Sequence, residues 1–271
     1  MSELTEPVDE RALSKTLSSP KSSPLRELHS KLYEIDQLLQ SPLCFAGHQL
    51  TLTRSAELIH YRLTRQDGLG REAERRGSLS GRYPHLEIRA TLLDRPLAML
   101  LAEPLHLSPS ETLQVGLSRP IAFELCVGDE HKRSVILREP TKPLRLTSYG
   151  EVNDAMLCYH WVTGCVSEAV DGDEALVPLT LSNQTRRPIT FQKLIIHKNF
   201  LKLYLTERGF MTNSIKVKMS SKTEAYLEYQ DQADDLGPRA ELIYESDNTG
   251  NAKLLRYLRV KKRGTGVEYG F

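Results

Sequence analysis

Residues 25–42 read LRELHSKLYEIDQLLQSP, and the change of pattern at Pro42 decides the fold. Before it, Leu25, Leu28, Leu32, Ile35 and Leu39 recur every three or four positions, the period of an α-helix. Ser23 can cap such a helix, Pro24 suits its first turn, and Ser41-Pro42 stops it. Beyond Pro42 the apolar period drops to two and stays there. Leu86, Ile88, Ala90 and Leu92 alternate, as do Val177, Leu179 and Leu181, and later Ile215, Val217 and Met219. The expectation is an all-β body carrying one N-terminal amphipathic helix over residues 24–40.

Working outward, residues 1–23 are rich in Ser, Pro, Glu and Lys with little to bury, which predicts a disordered tail. Pro96, Pro104, Pro109 and Pro120 separate apolar runs of strand length, fitting strand ends and edges and excluding long helices. Asp67 to Gly81, charged and glycine-bearing, reads as a solvated loop. Met156 to Val166 reads as a strand pair or one bent strand, with Gly164 as bulge or turn. Ser182 to Pro188 reads as a hairpin loop. Asp171-Gly172-Asp173-Glu174 marks the best boundary, dividing the body into two β-sandwich-like halves, 41–170 and 171–271.

The 271 residues hold 36 Lys+Arg against 35 Asp+Glu, so nucleic-acid binding by overall charge is not expected. Trp161 is the sole tryptophan, and no ladder of base-stacking rings is evident. No apolar run approaches the roughly 20 residues of a membrane helix, and no N-terminal apolar leader is present. Cys44, Cys126, Cys158 and Cys165 have neither disulfide-scaffold nor zinc-ribbon spacing. The expectation is a cytoplasmic protein, able to sit at the inner membrane face through a partner, with no cofactor and no metal.

Four constellations merit placing. Cys158 and His160 share a strand face near Cys165, with Cys126 as a conceivable further zinc ligand; buried thiols beside a satisfied imidazole are the simpler reading. The turn Tyr149-Gly150-Glu151-Val152-Asn153-Asp154, with Tyr159 after it, combines aromatics and acids; Tyr149, Asn153, Asp154 and Tyr159 are candidate ligand or partner contacts. Arg256, Arg259, Lys261, Lys262 and Arg263 form a basic run suited to a protected strand edge or to phosphate headgroups. The ladder Leu25, Leu28, Leu32, Ile35 and Leu39 is a candidate interface, onto the β body, a second copy, or a partner helix.

Three ordered segments resemble a prokaryotic family catalogued as domain of unknown function 432. They are Pro104-Leu105-His106-Leu107 with Pro109 and Pro120; Thr147-Ser148-Tyr149-Gly150 with Leu157-Cys158-Tyr159; and Leu201-Lys202-Leu203-Tyr204 with Gly209-Phe210-Met211-Thr212. The family usually carries tryptophans where this chain has Ser148 and Met211. The resemblance, over about Phe45 to Val260, implies no established activity. It implies a membrane-adjacent regulatory partner, since some members neighbour small-conductance mechanosensitive channel genes.

With no acid–base or nucleophile set, the sequence favours a binding or regulatory module acting through protein contacts, a membrane channel among them, rather than an enzyme. The alternatives are a carbohydrate- or phosphate-ester hydrolase with carboxylates brought together from different strands, and a small-molecule sensor.

Overall fold

The computed structural model describes residues 24–66, 72–129, 132–149, 156–166, 172–221, 225–231, 237–245 and 255–256. The protein is all-β, and its strands lie in four sheets among the described residues. The disordered tail expected over residues 1–23 lies outside the described residues.

The expected helix over 24–40 is corrected. Two four-residue helices, α1 (Leu25–Leu28) and α2 (Ile35–Leu38), flank a strand, β1 (Lys31–Glu34). Ser30, at φ 59°, breaks the helical run, and its N–H donates to the Ile88 carbonyl at 2.9 Å. A neighbouring strand edge thus satisfies the backbone groups that a longer helix would have paired internally. Leu25, Leu28, Ile35 and Leu38 are buried and Leu39 packs against the core, whereas Leu32 is 44 % exposed. The ladder therefore covers the β body, and the single stripe needed for helix pairing is not formed.

A meander follows: β2 (Leu43–Phe45), β3 (His48–Ser55), β4 (Leu58–Gln66) and β5 (Glu72–Ser80), in that order. Ala46 and Gly47 both have positive φ, 46° and 69°, the primed geometry that matches strand twist in a two-residue hairpin. Leu50, Leu52, Ile59, Leu63 and Leu79 face the core. The solvated loop expected over 67–81 is corrected from residue 72 onward. β5 pairs along its length with β4. Glu74 joins Arg62 across the strands and Arg76 beside it, so charge pairing on an outward face replaces the apolar alternation that sequence reading seeks.

Next come β6 (His85–Thr91), β7 (Leu97–Leu107), β8 (Thr112–Pro120), β9 (Ala122–Gly128) and β10 (Arg133–Pro140). β1-β6-β9-β10 form an antiparallel sheet. Then β11 (Arg145–Tyr149) and β12 (Met156–Thr163) join β7 and β15 (Ile189–Ile196) in the order β11-β12-β7-β15, with β12 parallel to β7. At Gly164 the chain leaves that sheet, and β13 (Cys165–Val166) pairs with β8.

The largest sheet centres on β14 (Glu174–Asn183), antiparallel to β8 along most of its length. Its other edge pairs first with β17 (Gly209–Thr212), then with β18 (Ile215–Met219). The change of partner falls at Val177-Pro178, where proline has no N–H to give a ladder. β16 (Lys202–Thr206), β19 (Ala225–Tyr229), β20 (Glu241–Glu245) and β21 (Leu255–Arg256) complete it. The expected boundary at 170/171 lies outside the described residues. Strands from both sides of it pair, β8 with β14 and β7 with β15.

One buried cluster draws on all four sheets, including Leu50, Phe123, Leu97, Leu117, Val177 and Leu203. The segment expected as a hairpin loop, 182–188, instead carries the chain between sheets, because β14 and β15 take different partners. Asn183, fully buried, fixes it. Its Nδ2 donates to the carbonyls of Leu107, Ser108 and Arg187, and its Oδ1 accepts from Thr185.

Candidate functional site

The β11-β12-β7-β15 sheet turns one face to the main core through Leu97, Met99, Leu194 and Ile196. Its other face carries a separate apolar cluster, Ala98, Cys158 and Ile195, with Tyr149 and Met156 packed over it. The register explains the grouping. His160 lies opposite both Arg145 and Ala98, Ile195 opposite Ala98, and Val162 opposite Leu100, which faces Lys193. Cross-strand partners share a face, so these residues line one surface.

Lys193 sets the electrostatics. Its Nζ sits 3.3 Å from the centroid of the Tyr149 ring, a cation held against the ring's negative face. Burial lowers the Lys193 pKa, opposed by nearby Cys158. Burial likewise pushes the Cys158 thiol up to about 11, with Lys193 pulling the other way. Cys158 is therefore protonated at neutral pH and packs within the cluster. Val162, 51 % exposed, lies open beside the cluster, and Arg145 adds an exposed cation at the edge strand.

Tyr149 and Tyr159 do not converge. Tyr159 packs on the core side, where its hydroxyl donates to Asp94 Oδ1 at 3.0 Å. Burial first, then that bond, pushes its phenol up to about 12. Asn153 and Asp154 lie outside the described residues, as do Arg259, Lys261, Lys262 and Arg263; of the basic run only the Arg256 backbone, paired with Tyr226, is placed. Cys158 and His160 share a face, but Cys165 is on the β8 side and Cys126 in the β9 sheet. Among the described residues, no group of three or more His, Cys, Asp or Glu is arranged to hold a metal ion.

Sequence reading missed Lys193 and Arg119. Each had a signal: a cation at the strand parity of apolar neighbours, Lys193 with Ile195 and Arg119 with Leu117. A lone cation at an apolar position ordinarily reads as an edge residue, and only the register shows otherwise. Among the described residues, no helix is long and apolar enough to cross a membrane.

A family model described as Protein of unknown function (DUF432) matches residues 33–260. No curated protein and no solved structure matches the chain.

Proposed function

The chain belongs to the DUF432 family, whose description assigns no activity, and from that premise we propose a binding and regulatory module that acts through protein contacts. The observation that carries this reading is the second apolar cluster on the outer face of the β11-β12-β7-β15 sheet, with Val162 open beside it. Such a surface gains by being covered. Burying one valine side chain contributes about 1.5–3 kcal/mol. Tyr149, stiffened by the cation on its ring, is the kind of aromatic anchor that carries binding energy at interfaces. Arg145 and Lys193 place positive charge on the same face, so the fitting partner is apolar at its centre and acidic around it. A membrane channel is the partner class we propose for this face.

The test is affinity capture from native membranes and cytosol at low salt with wild-type chain, Val162→Asp and Val135→Asp. Val135 is also 51 % exposed but lies on β10 of another sheet, so it is a matched control. The reading predicts a partner retained by wild type and Val135→Asp and lost by Val162→Asp. Equal recovery with all three contradicts it.

A further inference from the structure

We infer that the protein interior beside β8 is a receptor for a small organic carboxylate, with the Arg119 guanidinium as its anchor and the Tyr229 hydroxyl as a second donor. Arg119 is only 1 % exposed, and its Nη1 is buried with no hydrogen-bond partner. Its Nε makes one long bond, 3.4 Å, to the carbonyl of Pro120. It stands opposite Ala175 on β14 and shares a face with Leu117, so it projects among core residues.

Tyr229 is also buried, and its oxygen accepts the His197 backbone N–H at 3.1 Å. The Tyr229 proton has no acceptor among the described residues. The two groups lie close enough to shift one another's ionisation. Among the described residues, no Asp or Glu acts on Arg119. Burial lowers the guanidinium to about 10 and pushes the phenol up to about 12, so at neutral pH the first is charged and the second protonated. Both are donors.

Buried charges in proteins are paired, because leaving one alone forfeits its hydration without return. A guanidinium with free N–H groups beside an unused O–H is half of such a pair. One positive charge calls for a monoanion, and the planar guanidinium fork matches a carboxylate. The Phe200 ring against Tyr229, at 5.3 Å, and the apolar neighbours Leu117 and Ala175 suit a hydrocarbon tail. A phosphate dianion would need a second cation, and among the described residues none acts on Arg119.

The structure supplies a reporter. Trp161 is the only tryptophan, and two residues on, Thr163 donates its hydroxyl proton to the carbonyl of Ser118, next to Arg119. The experiment titrates the full chain with sodium acetate, propionate or benzoate against sodium chloride at matched ionic strength. Sodium phosphate is run in parallel, and Trp161 fluorescence and Tm are read. Expected are a saturable signal and a rising Tm with at least one carboxylate and not with chloride. Arg119→Lys should weaken binding about tenfold to a hundredfold, since the fork's bonds to a charged group are lost. Arg119→Met should abolish it while raising the Tm of the unliganded protein. Tyr229→Phe should weaken it less than Arg119→Lys. A response to phosphate alone, no carboxylate exceeding chloride, or undiminished binding by Arg119→Lys overturns the inference. So does a lower unliganded Tm, or failure to fold, in Arg119→Met.

Discussion

Replacing His48 with Gln should flatten the pH dependence of stability. His48 opens β3 after the Ala46-Gly47 turn, stacked on Phe45 at 6.0 Å and edge-on to Phe123 at 4.9 Å. Its Nδ1 lies 2.8 Å from the Ala46 carbonyl; a carbonyl only accepts, so Nδ1 carries the proton. Burial lowers the pKa from 6.5 to about 4, outweighing the hydrogen bond, and Arg65 lowers it further. The sign follows from linkage. The unfolded chain takes up the proton near pH 6.5 and the folded chain only near 4, so stability is full above 6.5 and falls with pH between those values. From pH 7.5 to 4.5 the loss is about 2.5 kcal/mol, from 1.36 kcal/mol per pKa unit. Urea unfolding followed by circular dichroism at both pH values measures it. The wild type should lose about 2.5 kcal/mol more than His48→Gln over that interval, because every other titrating group is common to both. Parallel pH curves for the two proteins would refute the reasoning.

Glu87, its side chain 3 % exposed, is held by Arg133 Nη1 at 2.6 Å and Arg89 Nη2 at 2.8 Å. Arg133→Ala should cost about 1–3 kcal/mol, and a double-mutant cycle with Glu87→Ala should show coupling of similar size in urea unfolding. Asn183→Ala removes a buried group that satisfies three carbonyls, and should destabilise by about 3 kcal/mol in the same assay. Under native conditions a thiol reagent should label Cys165, which is exposed, before Cys126 and Cys158, which are buried with pKa values pushed up to about 11. Peptide mapping of the first labelled site checks this.

Strand positions were legible where one face is apolar. Leu86, Ile88 and Ala90 are buried on β6, and Val177, Leu179 and Leu181 on β14, as their alternation required. The ladder misled because spacings of three and four also suit two single helical turns placed around a strand. Only the β6 edge and the positive φ of Ser30 distinguish these arrangements. β5 was illegible because its order comes from pairing with β4, a contact that its own residues do not announce. At the site, Tyr149 and Cys158 were visible as a motif and do meet one cluster. Lys193 reaches Tyr149 only because β15 joins β7 with a register shift between Phe191 and Lys193, after which Lys193 and Ile195 share the outer face. Pairing between segments so far apart in sequence leaves no local trace.

Site-specific photo-crosslinking in living cells, with the reactive group placed at residue 162 or at residue 135, bears most directly on how this protein acts. The account predicts one discrete heterologous adduct from position 162 and none from 135, two positions of equal exposure on different sheets. Identical adduct patterns from both positions, or none from 162, would contradict it.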